Sequence, residues 1–140
     1  ISQNILNKEA RLNDYEMDVM KTHPLFTVKI LSTSEYFSKH LPIILHHHER
    51  YDGSGYPHRL SGDMIPLGAQ IISIADTFDA MMTGRPYKKL ATPKEEVIEE
   101  FKKCAGTQFN PKLVELFIEI IKEEGFEYQP IPPLSKEEGL

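Results

Sequence analysis

Apolar residues recur at helical spacing along most of the chain, most regularly in two segments. In residues 67–82 they lie three or four positions apart, which predicts one long helix. The face of that helix predicted to be buried consists of Leu67, Ile71, Ile74, Ala75, Phe78 and Met82. The second segment follows Pro111, and its predicted buried face consists of Leu113, Leu116, Phe117, Ile120 and Ile121. Because no segment alternates in the manner of a β-hairpin, the pattern predicts an all-α fold with one core.

Capping and helix-breaking residues set the predicted boundaries near the start of the chain. Asn13 and Glu16 have the spacing of a capping box, which predicts a helix that starts there. This helix should end near His23, because Pro24 disfavours helical geometry in the residue before it. Pro24 can open the next helix. The apolar face of that helix would comprise Leu25, Val28 and Leu31.

A third helix and a long loop are expected next. The helix should cover residues 35–50, although Pro42 could mark its true start. Two glycines and a proline within residues 51–57 cannot sustain a helix, so this stretch is predicted to be a loop that continues to Pro66.

Helix signals mark two further segments. Thr92 is predicted to cap a helix, with Glu95 as its capping-box partner and Gly106 as its end. Asn110 and the proline after it should start the last helix, and Gly125 should stop it.

Net charge, apolar run length and cysteine content limit the expected partners and the expected cellular compartment. The formal net charge of −5 provides no basic surface for long nucleic acids, and no apolar run is long enough to span a bilayer. The single cysteine, Cys104, fits a reducing cytoplasm and is not expected to act as a nucleophile.

Residues 129–140 are rich in Pro, Glu and Lys, so we predict a helical domain over residues 1–128 and a flexible tail beyond it. The chain begins with Ile1, which favours a fragment of a longer protein.

The densest group of candidate metal ligands is the run His46, His47, His48 and Glu49. Consecutive helical residues point about 100° apart, so three histidines cannot serve one face, but adjacent pairs can straddle a cluster of metal ions. An expression tag would lie at a terminus, whereas this run lies within the chain. From the residue types alone, metal binding and an ordinary polar helix face are equal alternatives.

Other polar residues could support such a site. Asp76 lies among apolar neighbours on a helix predicted to be buried, where a carboxylate needs a cation or hydrogen-bond donors. Asp79 lies one helical turn later and could equally pair with a basic residue at the surface. His23 at a helix end could be only a partner of the helix dipole. Arg85 and Lys88 could bind phosphate oxygens, or could form a solvated basic turn.

The chain resembles the HD-GYP family in several blocks. Residues 47–57, which end in Gly55, Tyr56 and Pro57, are similar to the signature loop from which the family takes half its name. The other similar blocks are residues 5–8, 21–24, 65–69, 74–80, 85–88 and 105–111, so the likeness extends over residues 1–122.

The resemblance implies an HD-domain-like helical bundle that holds two or three divalent metal ions, iron or manganese rather than zinc. It also implies hydrolysis of cyclic di-GMP to linear pGpG or GMP by a metal-activated water, with Asp76, His47 and His48 at the catalytic centre. The implied metal ligands are His23, His47, His48 and Asp76. The implied substrate contacts are Arg85, Lys88 and Tyr56. The loop residues expected beside substrate or a partner domain are Asp52, Gly53, Gly55, Tyr56 and Pro57.

One part of the family pattern is absent. No His-Asp dipeptide occurs in the chain, and the family pair and the lysine after it would precede residues 1–8. We therefore expect an N-terminally incomplete domain that binds metal weakly by itself, unless another segment or subunit supplies the missing ligands. Two alternatives stay open: a catalytically incomplete regulatory or interaction module, and a phosphohydrolase of different nucleotide specificity. The expected protein partners are a diguanylate cyclase or a response-regulator receiver domain, with a homodimer left open.

Overall fold

The computed structural model describes residues 1–8, 10–83 and 92–123, and this part of the chain is helical, without a β-strand. The α-helices are α1 (Gln3–Leu6), α2 (Asp14–Met20), α3 (His23–Leu31), α4 (Leu41–His46), α5 (Leu67–Thr83), α6 (Lys94–Cys104) and α7 (Pro111–Lys122). Two short 3₁₀ helices, Glu35–Phe37 and Gly62–Met64, precede α4 and α5 respectively. The all-α prediction is confirmed.

The hydrophobic core lies in the second half of the chain, where α5, α6 and α7 pack together. Its buried members are Ile74, Phe78, Val97, Ile98, Phe101, Phe109, Val114, Ile118 and Ile121. Phe101 is central to this cluster, because its ring stacks on Phe109 with centroids 5.0 Å apart and lies 4.8 Å from the ring of Phe117. In the first half of the chain, α3 packs on α4, and α4 packs on the core helix α5.

The predicted start of α2 is confirmed in detail. The side chain of Asn13 accepts a hydrogen bond from the N–H of Glu16, and the N–H of Asn13 donates to the Glu16 carboxylate, both at 2.8 Å. The helix ends at Met20, so His23 does not lie at its end. His23 instead opens α3, with Pro24 in the first turn, where the missing proline N–H has no helical partner to lose.

The prediction of one helix over residues 35–50 is wrong in its bounds, whereas the alternative start at Pro42 is confirmed. The helix α4 begins at Leu41, with Pro42 in its first turn, and ends at His46. The N–H of Glu49 donates to the carbonyl of His46 at 3.0 Å, a tighter turn than an α-helix makes, and this turn takes the chain away from the helix axis. His47 and His48 therefore lie just beyond the helix rather than within it.

The boundaries of the last two helices agree with the prediction in part. Pro93 is the N-cap of α6 without a side-chain hydrogen bond, so the capping box predicted from Thr92 does not form. Thr92 is instead buried, and its N–H donates to the carbonyl of Met81 at 3.1 Å. The predicted start of α7 is confirmed, since the side chain of Asn110 accepts a hydrogen bond from the N–H of Lys112. The helix α7 ends at Lys122, before the predicted stop at Gly125.

Three of the predicted buried faces are wrong in part. In α7, Leu116 and Ile120 are exposed, whereas Val114 and Ile118 are buried. Apolar residues occur on more than one side of this helix, so periodicity alone could not select the side that α6 covers. For the same reason α5 buries Ile74 and Phe78 but leaves Leu67, Ile71 and Ala75 exposed, and α3 leaves Leu25 exposed.

Some predictions fall outside the described residues. They concern Arg85, Lys88, Gly125 and the tail, residues 129–140, so the domain boundary at residue 128 stays a prediction. Among the helices that the structure describes, none is both long and apolar enough for a membrane span.

Candidate metal centre

Three histidines converge where α3 meets the end of α4. Each offers one ring nitrogen to a group in which all three atoms lie within 4.8 Å of one another: His23, His47 and His48. The Nε2 atoms of His48 and His23 are 3.1 Å apart, and the rings of His47 and His48 have centroids 4.0 Å apart. The packing of α3 on α4 thus brings together residues that are far apart in sequence.

Backbone carbonyls orient two of these rings. The Nδ1 of His23 lies 2.8 Å from the carbonyl of Met20, and the Nδ1 of His47 lies 2.6 Å from the carbonyl of Ile44. A carbonyl oxygen can only accept, so in the neutral ring the proton is on Nδ1 and the lone pair is on Nε2. Histidines that bind metals are commonly oriented by such a bond from the other ring nitrogen.

His48 stays neutral at physiological pH. Burial first, and the neighbouring rings of His47 and His23 second, lower the pKa of its imidazole to about 4. One face of the ring is covered by Tyr56, whose ring stacks on it at a centroid distance of 5.0 Å. Neutral imidazole is the form that binds metal ions, so His48 is held in the ligating state.

The donor set fits a divalent metal ion. Two nitrogens that each lie ~2.1 Å from one ion are separated by ~3.0 Å at a right angle and by ~3.4 Å at the tetrahedral angle. The 3.1 Å between the Nε2 atoms of His23 and His48 is close to the first of these separations. Without a cation, the lone pair on Nε2 of His23 requires a proton on Nε2 of His48, so a bound ion would take the place of that single proton.

Two of the three histidines, His47 and His48, border an open cavity of about 400 Å³. The residues that line it are Lys21, His47, His48, Glu49, Arg50, Ser54, Gly55, Tyr56, Ser73, Asp76, Thr77 and Gln108. The structure therefore places Asp76 and Tyr56, both selected from the sequence, on the walls of the same cavity as the paired histidines.

Asp76 differs from its prediction in one respect: it is exposed rather than buried. It stands two residues from both Ile74 and Phe78, about 200° around the helix from each, so the packing of those two side chains into the core turns Asp76 outward. The carboxylate faces the cavity but does not belong to the compact group of three imidazole nitrogens. Its charge nevertheless reaches Tyr56, because burial first and Asp76 second raise the pKa of the Tyr56 hydroxyl.

The signature loop is held against the turn between α6 and α7. The N–H of Tyr51 donates to the carbonyl of Gln108 at 3.1 Å, and the N–H of Asp52 donates to the carbonyl of Thr107 at 2.8 Å. The guanidinium of Arg50 also donates to the side chain of Gln108 at 2.9 Å. These bonds span a large sequence separation and connect the loop to the helical core.

Within the loop, polar and glycine residues set the local shape. The Asp52 carboxylate accepts from the hydroxyl and the N–H of Ser54, and these bonds hold its pKa below the usual range. Gly53 has a φ of 79°, a conformation that favours glycine. A Cβ on Gly55 would lie 2.6 Å from the carbonyl oxygen of His48, so only glycine fits beside that backbone.

Some cavity residues had no role assigned from the sequence. Lys21 brings a positive charge to the cavity wall, and the signals available for it were its position two residues before His23 and its place in a block that resembles the family. Gln108 lies in a block that resembles the family, but nothing in its residue type marks it as the partner of the loop. Arg85 and Lys88, predicted to contact phosphate, lie outside the described residues.

The chain is similar to several known proteins. A family model described as an HD domain matches residues 2–113. A cyclic di-GMP phosphodiesterase of Thermotoga maritima is 41% identical over 125 residues, which are 88% of this chain and 34% of that protein. The cyclic di-GMP phosphodiesterase response regulator RpfG of Xanthomonas campestris pv. campestris is 40% identical over 120 residues, which are 84% of this chain and 32% of that protein.

Two further proteins are similar. The 3'3'-cGAMP-specific phosphodiesterase 2 of Vibrio cholerae is 42% identical over 121 residues, or 85% of this chain and 23% of that protein. A solved structure of a cyclic GMP-AMP-specific phosphodiesterase of V. cholerae matches with a TM-score of 0.65 and 20% identity, over 86% of this chain and 31% of that one, which shows a shared fold. The chain spans at most about a third of the length of these relatives.

Proposed function

Because the chain belongs to the HD-domain family, we propose that it forms part of a metal-dependent phosphodiesterase that hydrolyses cyclic di-GMP. The observation that carries this proposal is the convergence of the ring nitrogens of His23, His47 and His48 beside an open cavity. Relatives named as cyclic di-GMP phosphodiesterases supply the substrate class.

The proposed ligands are His23, His47 and His48, with Asp76 as a carboxylate ligand from the facing helix. Mixed imidazole and carboxylate donors suit iron or manganese, and two or three such ions are proposed for the complete domain. A bound divalent ion supplies Lewis acidity, which withdraws charge from a phosphoryl oxygen and lowers the pKa of water.

The side chains around the cavity would position the substrate and exclude other ligands. Lys21 places an ammonium group on the cavity wall, where it can attract a phosphodiester anion. Tyr56 covers one face of His48 and narrows the space beside it. Arg85 and Lys88 are proposed to bind phosphate oxygens, since guanidinium and ammonium groups donate strongly to phosphate. The proposed product is linear pGpG or GMP.

A second substrate, 3′3′-cGAMP, is favoured by the relative of that specificity, which has an identity similar to that of the cyclic di-GMP enzymes. The two substrates share the phosphodiester ring and differ in one base, so the metal-binding residues would serve either. A receiver domain is the proposed partner, because one relative is named as a response regulator.

Metal binding tests the proposal directly. We expect the chain to bind Mn²⁺, and His23→Ala and His48→Ala each to weaken that binding about tenfold or more, because each removes one of the converging nitrogens. Free Mn²⁺ is measured by electron paramagnetic resonance during titration. His40→Ala is the matched control, since His40 is exposed and outside the group, and it should bind as the wild type does.

Equal Mn²⁺ affinity in the wild type, His23→Ala and His48→Ala would contradict the proposed centre. Cyclic di-GMP and 3′3′-cGAMP are then compared as substrates of the same preparations. Hydrolysis of one in clear preference to the other decides the specificity.

A further inference from the structure

A second group of potential ligands lies on the other side of the histidine run. One ligand atom each from His46, Glu49 and His58 lies within 4.8 Å of the others, and the Nε2 of His46 is 3.0 Å from the Nδ1 of His58. None of these residues belongs to the group formed by His23, His47 and His48. The signature loop brings His58 back beside α4, so the group forms only in the folded chain.

The ring of His46 is oriented in the same way as the rings of His23 and His47. Its Nδ1 lies 2.7 Å from the carbonyl of Pro42, so Nδ1 carries the proton and Nε2 presents a lone pair. That lone pair points at His58. The separation of 3.0 Å between the two nitrogens is again near the ~3.0 Å expected for two ligands at right angles around one ion.

Glu49 provides a negative charge at this position. It is only 3% exposed, and its two carboxylate oxygens accept from the N–H groups of His58 at 2.7 Å and Leu60 at 3.1 Å. Within the described part of the chain, no lysine, arginine or histidine forms an ion pair with it. A buried carboxylate needs a cationic partner or a full set of donors, and each oxygen here retains a further lone pair.

We propose that His46, Glu49 and His58 form a separate binding site for a Zn²⁺-class ion. Two imidazoles and one carboxylate are a three-ligand set typical of zinc, with a further position left for water or another ligand. Because His58 is exposed, that position faces solvent. A bound ion would connect the end of α4 to the segment that follows Pro57, and would thereby fasten the signature loop next to His47 and His48.

The test is a Zn²⁺ titration of the chain and its variants, followed by metal analysis after dialysis. We expect the wild type to retain one equivalent more than His58→Ala, and His40→Ala to match the wild type. His58 is exposed, so its removal should leave the fold intact. Zn²⁺ should also raise the melting temperature of the wild type by about 4 °C more than that of His58→Ala, because an ion that binds only the folded state stabilises it.

The variant His48→Ala separates this proposal from the proposed function. It should lose the equivalent held by the first group and retain the one that depends on His58, and the double variant should lose both. If His58→Ala keeps the full stoichiometry and the full Zn²⁺-dependent rise in melting temperature, the second site does not exist, whatever His48→Ala shows.

Discussion

Gly55 lies directly against the backbone of the first residues of the signature loop. A Cβ there would lie 2.6 Å from both the Cα of Glu49 and the carbonyl oxygen of His48, and these backbone atoms cannot rotate away as a side chain could. The N–H of the next residue, Tyr56, donates to that same carbonyl at 3.2 Å. The glycine therefore sets how closely Tyr56 can lie over the ring of His48.

We expect Gly55→Ala to lower the free energy of unfolding by about 3 kcal/mol, because the loop must move away from the backbone after α4. Urea denaturation measures the change. The matched control is Gly62→Ala, where a Cβ meets nothing within 4 Å but φ is 53°, so a cost of only about 1 kcal/mol is expected. Equal costs for the two variants would show that Gly55 is not confined as described.

The helices differ in how firmly they are connected to the core. The helix α2 has a complete capping box but buries none of its residues. The N-cap of α7 is Asn110, whose side chain caps the helix and also donates to the buried side chain of Gln70 at 2.9 Å. Gln70 in turn donates to the carbonyl of Ile65 at 2.8 Å. Loss of the Asn13 cap should therefore destabilise only α2, whereas loss of the Asn110 cap should destabilise the whole domain.

For Asn13→Ala we expect about fivefold faster amide exchange in α2, which corresponds to a cap worth about 1 kcal/mol, with an unchanged melting temperature. Asn110→Ala should instead lower the melting temperature, because it removes both a cap and a hydrogen bond to a buried amide. Hydrogen exchange followed by NMR, together with thermal denaturation, distinguishes the two. A fall in melting temperature for Asn13→Ala equal to that for Asn110→Ala would be inconsistent with a peripheral α2.

The stability that the capping box at Asn13 contributes should depend on pH. A hydrogen bond from Lys8 first, and one from the N–H of Asn13 second, lower the pKa of Glu16 from its usual value of 4.5. A carboxylate with a lowered pKa in the folded state contributes stability above its unfolded pKa and loses it as the pH falls. The contribution of Glu16 is therefore complete at neutral pH and is lost as the pH falls through the lowered pKa of the folded state.

At the scale of the whole molecule, the core and the converging histidines belong to different segments, although Asp76 lies on the core helix α5. The buried cluster belongs to α5, α6 and α7, whereas the histidines belong to α3 and to the turn after α4. Gln108 connects the two parts, because it bonds to Tyr51 and Arg50 from the turn between α6 and α7. Changes in the core should therefore alter stability first, with metal binding unchanged while the chain stays folded.

Ile121 and Ile120 test this separation as adjacent residues of one type. Ile121 is 0% exposed and Ile120 is 51% exposed. We expect Ile121→Val to cost about 1 kcal/mol and to lower the melting temperature by about 4 °C, since one buried methylene group is lost. Ile120→Val should change neither the free energy of unfolding nor the melting temperature by a measurable amount. Thermal denaturation measures the stability of each variant, and Mn²⁺ titration measures its metal binding. Weaker Mn²⁺ binding by folded Ile121→Val would argue against the separation of the core from the histidines.

The sequence by itself determined the helical class, the capping box at Asn13, the start of α7 and the loop at residues 51–57, because each depends on contacts between near neighbours in the chain. It also identified His47, His48 and Asp76, which the structure brings to one cavity. Tertiary structure alone decided which apolar face is buried, since Ile120 and Ile121 are chemically alike and only the position of α6 distinguishes them. It likewise decided that Asp76 faces outward, that Gln108 supports the loop, and that His58, which has no informative sequence neighbours, lies against His46. These features depend on where distant segments meet, and that follows from packing rather than from local residue preference.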